Sequence, residues 1–149
     1  MIFWDASAVL PLVIRETLSA PLGRLASREG GHAVWWATSV ECDSAVCRLE
    51  REGRLSSADV QEIHEAVDQL LESWTVVEPS AAVRSAARRL LRVFPLRAGD
   101  ALQLAAAVTA AEGRPETVSF VCLDGRLREA AGHEGFRLLP AAKQKRSRV

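Results

Sequence analysis

Four acidic residues each stand just past an apolar, strand-like run or in the first turn of a helix-like one. They are Asp5 in IFWDASA, Glu41 in VWWATSVECDSAV, Asp100 in LRAGDALQLAAAV and Asp124 in VSFVCLDGRL. In an open α/β sheet such places fall along one edge, outside the carboxyl ends of the strands, where ligands usually bind. Carboxylates gathered there repel one another unless a cation joins them, and an oxygen-only donor set suits Mg²⁺, with Mn²⁺ as the alternative. The chemistry this suggests is metal-assisted hydrolysis of a phosphodiester: a bound ion lowers the pKa of a water and orients it toward phosphorus. Asp5 and Asp100 are the expected core pair of ligands. Glu41 and Asp124 are expected to bind a second ion or to position the water, and one ion or two both fit this reading.

Taken singly, each acid also has a plain structural explanation. Asp5 and Asp100 suit helix N-termini. Thr38–Glu41 has the pattern of a capping box, and Asp124-Gly125 is a turn dipeptide. The set argues otherwise, because its surroundings are too apolar for solvated caps. ALQLAAAV follows Asp100 and VSFVCL precedes Asp124. A carboxylate flanked in this way is expected to be partly buried, which is costly unless it is paired or coordinated. Arg97, three residues before Asp100, is placed to touch RNA near the scissile bond. Arg84, Arg88 and Arg92, with Arg89 beside them, read as the solvated face of a helix. Trp35 and Trp36 are adjacent on a strand and point to opposite faces, so at least one belongs to the core. His32, His64 and His133 share no metal-ligand spacing.

The elements that must position the acids alternate along the chain. Strands are expected at 2–4, 33–37, 75–78, 118–123 and 136–139. Helices are expected at 6–14 (bent by Pro11), 18–28, 38 to about 52, from the 56–59 opening through 60–74, through 83–94, 98–112 and 126–131. Ser56 and Asp59 open the fourth helix. Val83, Ala86, Ala87, Leu90, Leu91 and Phe94 mark the buried stripe of the fifth. Short, continuous apolar strands between helices predict a parallel sheet covered on both faces, with every carboxyl end on one edge.

Composition narrows the function. The chain has 149 residues, 48% hydrophobic and 26% charged, which is ordinary for one globular domain. Its three cysteines have no CxxC spacing, so neither a disulfide framework nor a structural zinc site is expected. Lysine occurs only at 143 and 145. Neither GxxxxGK[ST] nor GxGxxG is present, which removes the P-loop and the dinucleotide fingerprint. Without its four tail residues Lys143, Lys145, Arg146 and Arg148 the body holds 15 basic against 19 acidic residues, a net −4. Any affinity for RNA must therefore come from local arginines and bound metal. No apolar run is long enough to span a bilayer and the start lacks a basic leader, so a cytoplasmic protein without membrane attachment is expected.

Beyond this, IFWDASA, the Glu of TSVECDSAVCRL, GDALQLAAA and VCLDGRLREAA followed by GFRLL resemble the PIN domain. The likeness is greatest to the ribonuclease toxins of VapBC toxin–antitoxin pairs, and it runs from Ile2 to about Leu139. The resemblance implies an α/β fold, a three-layer α/β/α sandwich around a parallel sheet of four to five short strands. It implies a domain over residues 1–140, with 141–149 as a basic, disordered tail. It implies that Asp5, Glu41, Asp100 and Asp124 bind Mg²⁺ or Mn²⁺ and that Ser7 supports the first carboxylate. It further implies endoribonuclease activity, a cognate antitoxin and pairing as a homodimer, for which the small residues of 101–111 offer a close-packing surface. One departure stands out: Cys122 occupies a place where the family often has Thr or Ser, which puts a hydroxyl contact there in doubt. A non-catalytic PIN-like module binding RNA or protein is the alternative, and the complete quartet counts against it. A phosphatase built on Asp5 ranks last, since DAS lacks a second Asp and the folded region lacks Lys.

Overall fold

In the computed structural model, which describes residues 1–141, five short strands pair in parallel in the order β3-β2-β1-β4-β5. They are β1 (Ile2–Trp4), β2 (His32–Trp35), β3 (Thr75–Val77), β4 (Ser119–Val121) and β5 (Arg137–Leu139). Seven helices connect them: α1 (Ala6–Val9), α2 (Ser19–Ala26), α3 (Thr38–Arg51), α4 (Ser57–Leu71), α5 (Ala81–Val93), α6 (Ala98–Ala110) and α7 (Gly125–His133). Pro11 sits in a short 3₁₀ turn, Leu10–Leu12, that ends the first helix. The expectation of a disordered tail falls on residues 142–149, outside the described part of the chain. No helix among the described residues is long and apolar enough to cross a membrane.

Alternation along β1 assigns the layers. Phe3 faces a core built with α5, α6 and α7, through Val83, Leu90, Leu104 and Leu127. Ile2 and Trp4 face the opposite core, built with α1, α2, α3 and α4 through Val9, Leu22, Cys42 and Val67. The sandwich expected from the sequence is thus formed. Connections leaving β1 and β2 run over the Trp4 face, and those leaving β3 and β4 run over the Phe3 face. The chain therefore reverses its winding between β1 and β4, and a crevice opens at their carboxyl ends.

Three local expectations need correction. The capping box at Thr38–Glu41 does not form: Ala37 is the N-cap of α3 and uses no side chain. Thr38 lies inside the helix, buried, and accepts a hydrogen bond from Gln103 (3.3 Å). Glu41 falls one position too late to reach back, which leaves its carboxylate free. The box at Ser56–Asp59 does form, with both reciprocal bonds present. On α5 the buried stripe is Val83, Ala87 and Leu90, while Leu91 is exposed. The small residues of α6 are spent inside the chain. Ala101, Ala105, Ala106, Ala107 and Ala111 are all buried, so they give no support to a dimer surface. They let α6 lie close to its neighbours with Asp100 at its first turn.

Ala105→Leu should overpack this layer and lower stability by roughly 1–3 kcal/mol, read as a reduced denaturation midpoint. An unchanged midpoint would show that α6 is not tightly enclosed.

Candidate active site

Asp5 is placed by the strand that precedes it. Its N–H donates to the Val121 carbonyl (2.9 Å), extending the β1–β4 ladder by one step. Its carboxylate caps α1, accepting from the Ser7 N–H (3.1 Å) and, over a short contact, from the Ser7 hydroxyl. Only 3% of Asp5 remains exposed. The Ser7 hydroxyl oxygen in turn accepts from the Leu123 N–H (2.9 Å), joining the first helix to the end of β4. Ser7 thus ties the Asp5 carboxylate to the end of β4. Cys122 fills the place where a hydroxyl was in doubt: its thiol lies 3.5 Å from Asp5 Oδ2 and donates weakly toward it.

The other three acids arrive from different layers. Glu41 comes from the first turns of α3 and Asp100 from the first turn of α6. Asp124 is the N-cap of α7, where one carboxylate oxygen accepts from the Leu127 N–H (2.9 Å). All four line one cleft of about 320 Å³, with Ser7 and Arg48. A methyl group at Gly99 would lie 3.7 Å from Glu41 Oε1, so Glu41 rests against the first turn of α6, whose dipole favours a negative charge.

Sequence reasoning missed three residues here. Gln103 is fully buried and donates to the Thr38 hydroxyl, and its side chain favours the ionised form of Glu41. Its signal was a lone amide inside the apolar run DALQLAAA. Arg48 reaches the cleft from α3, seven residues and two helical turns after Glu41. Arg128 clamps the neighbouring strand ends, donating to the carbonyls of Cys122 (2.8 Å), Leu139 (3.0 Å) and Pro140 (2.8 Å). Arg97, singled out from the sequence, lines an adjoining cleft that shares Asp100 and Asp124. Of the tryptophans, Trp35 is core and Trp36 is 55% exposed. The histidines stay apart from the acids: His32 stacks on Trp74, His64 pairs with Asp43, and His133 lies against Phe94.

The cleft is short of positive charge. Burial pushes the Asp5 carboxyl up, against the lowering effect of its Ser7 and Cys122 hydrogen bonds, and the charge of Asp100 adds to the rise. Burial likewise raises Glu41 to about 7, with Asp5 and Asp100 contributing and Gln103 opposing. Asp100 is raised by burial and by Asp124, and held back by Arg97. Among the described residues no three Asp, Glu, His or Cys side chains converge closely enough to share one ion. Asp124 is partly committed to its cap. Mg²⁺ retains several waters and needs only one or two carboxylates. An all-oxygen donor set with unmet negative charge suits such an ion.

No family model matches the chain, and no curated protein sequence matches it. Solved structures do share its fold. FitAcB from Neisseria gonorrhoeae is similar over 93% of this chain and 96% of that one, at 15% identity and a TM-score of 0.68. VapBC-1 from nontypeable Haemophilus influenzae is similar over 93% and 96%, at 12% identity and a TM-score of 0.60. VapBC2 from Rickettsia felis, bound to a DNA fragment from their promoter, is similar over 83% and 88%, at 14% identity and a TM-score of 0.58. At these identities the likeness is one of fold, and that fold is PIN-like.

The raised carboxyls set a pH dependence. Glu41 ionises near 4.5 in the unfolded chain and near 7 in the folded one. The folded state therefore holds a proton that the unfolded state has released, and stability falls as pH rises through that window. Asp5 and Asp100 act in the same direction. In chelator, the protein should be less stable at pH 8 than at pH 5.5 by roughly 1–3 kcal/mol. Glu41→Gln should flatten the slope, and Mn²⁺ or Mg²⁺ should raise the pH 8 midpoint. Denaturation curves that are parallel in all three conditions would remove the charge cluster as a physical unit.

Proposed function

We propose that the protein is a metal-dependent endoribonuclease, the VapC-like toxin of a type II toxin–antitoxin pair. The observation that carries this reading is the meeting of Asp5, Glu41, Asp100 and Asp124 in one cleft at the crevice between β1 and β4. The motif resemblance supports it, as do fold neighbours that include two VapBC structures. Asp5 and Asp100 would hold Mg²⁺ or Mn²⁺, with Asp124 and Glu41 completing the site. When bound, the ion supplies Lewis acidity toward the phosphate and lowers the pKa of a water.

The chain's own groups do the remaining work. Ser7 and Cys122 fix the orientation of Asp5 before any ligand arrives, so little reorganisation is left for the reaction. Gln103 favours the ionised form of Glu41. Neighbouring positive charge would keep Glu41 ionised at neutral pH, where its carboxylate can take a proton from a water beside the phosphorus. Arg48 and Arg97 stand on either side of the acids and suit the phosphates of a bound strand.

The expected partner is an antitoxin that inserts an Arg among the carboxylates, pairing bidentately and displacing the ion. Such a partner would also need apolar surface. On the first helices Leu22 and Leu25 are buried, whereas Leu10, at the cleft, and Leu12, Val13 and Leu18 are only partly covered. Co-expression with the product of an adjacent small gene should give a stable, nuclease-inactive complex; separate purification of the two would count against this pairing. A homodimer is proposed on the two-fold symmetry common among oligomers. Light scattering at micromolar concentration should give twice the 16.2 kDa chain mass, and a monomer mass throughout would exclude it.

Asp5→Asn and Asp100→Asn should each abolish cleavage of RNA in Mg²⁺. Asn at position 5 keeps a carbonyl to accept the Ser7 bonds, and either change removes a repelling charge. The metal-free variants should therefore melt no lower than the parent at pH 8. Parental cleavage rates in either variant would make the site assignment wrong, and RNA binding without cleavage by the parent would favour the non-catalytic module.

A further inference from the structure

Beside the acid cleft lie two further clefts that share walls in series. The first, of about 460 Å³, shares Asp100 and Asp124 with the acid cleft and adds Pro95, Arg97 and Arg126. The second, of about 500 Å³, shares Pro95 and Arg126 with the first and is lined further by Phe94, Glu129 and His133. One wall is a single face of α7, since Arg126, Glu129 and His133 recur at helical spacing. The segment from Phe94 to Arg97, leading into α6, supplies the opposite wall.

The chemistry changes stepwise along this path. Carboxylates come first. Then come the guanidinium groups of Arg97 and Arg126, neither of which forms a salt bridge among the described residues. The path ends on an aromatic pair, the half-buried Phe94 and exposed His133, with ring centroids 6.0 Å apart. Glu134 also borders that pocket, but Arg89 neutralises it through two bonds of 3.0 and 2.8 Å. Glu129 has no ion-pair partner among the described residues and is left as the acceptor. A carboxylate there repels a phosphate but welcomes the N–H edge of a base, and the rings offer a surface for stacking. Guanine, with adjacent imino and amino donors, matches it best.

We propose that an RNA strand lying across the acids continues past Arg97 and Arg126, which hold a phosphate flanking the cut. The next base then seats against Phe94, Glu129 and His133, so that this pocket selects a nucleotide at a fixed offset from the scissile bond. The proposal rests on the reading of the acid cleft as an RNA-cleaving site. Alternation of guanidinium and aromatic groups favours a nucleic-acid strand, with its alternating phosphates and bases, over a peptide.

Two measurements test it. The parent, cutting a randomised RNA pool in Mg²⁺, should show a purine preference, strongest for guanine, at one position offset from the cut. His133→Ala, Phe94→Leu and Glu129→Gln should each weaken that preference, by roughly tenfold for the loss of a stacking surface. His133 and Glu129 are exposed, so their variants keep the test valid if Phe94→Leu folds poorly. In the Asp5→Asn protein, 6-thioguanosine placed at successive positions of a short RNA should crosslink to the 125–133 helix in one register only. Cleavage with an unchanged positional profile, or crosslinks that all fall elsewhere, would overturn the subsite while leaving the nuclease reading intact. An unchanged profile with lost antitoxin association would make the pocket a protein-docking site and also overturn it. A parent that neither binds nor cuts the pool would remove the nuclease reading, and the subsite with it.

Discussion

A carboxylate at the end of the central strand has lost almost all contact with water. Asp5 is 3% exposed, and a buried charge of that kind is tolerated only where hydrogen bonds and a counter-charge replace hydration. Ser7 and Cys122 provide the hydrogen bonds. Among the described residues no positive charge acts on it, and Asp100 makes the deficit worse. The surrounding structure follows from that constraint. The carboxyl end of β1 must stay rigid, and its neighbours bring further oxygen donors to it.

Rigidity comes from ties between elements distant in sequence. Asp5 N–H bonds to β4, the Ser7 hydroxyl accepts from Leu123, and Arg128 joins the ends of β4 and β5. These ties surround the crevice that the reversal of winding opens between β1 and β4. Helix α6 is embedded by its alanines, which brings Asp100 and the buried Gln103 to the same crevice. Stability and site geometry are therefore coupled. The packing that encloses α6 also sets how far its acid stands from Asp5, and the repulsion among the acids works against the packing.

The body of the chain carries net negative charge, yet arginines are placed locally around the cleft. Arginines stand singly at the flanks of the acid cleft, Arg48 on one helix and Arg97 and Arg126 on others. This differs from the basic row of α5, where Arg89 is bound to Glu134. Local guanidinium groups act over short distances and are screened beyond about 10 Å, so the position of an arginine matters more than the total charge.

Much of this was legible in the chain itself. Short apolar runs separated by helical periods announce a parallel sheet, because only a strand buried on both faces drops polar alternation. Acids at the ends of such runs fall on one edge for the same reason, and Asp5, Glu41, Asp100 and Asp124 could be picked out by type and place alone. Folding decided what depends on contacts between distant segments. The Thr38 capping box failed because α3 starts one residue earlier in frame and Gln103 claims the Thr38 hydroxyl from 65 positions away. The alanines of α6 turned out to serve the internal core, which periodicity cannot distinguish from an external seam. Arg48 and Arg128 carry no local signal, since their partners are set by how layers stack. Local pattern reports which face of an element is apolar, whereas the identity of the neighbour across that face is a property of the packed whole.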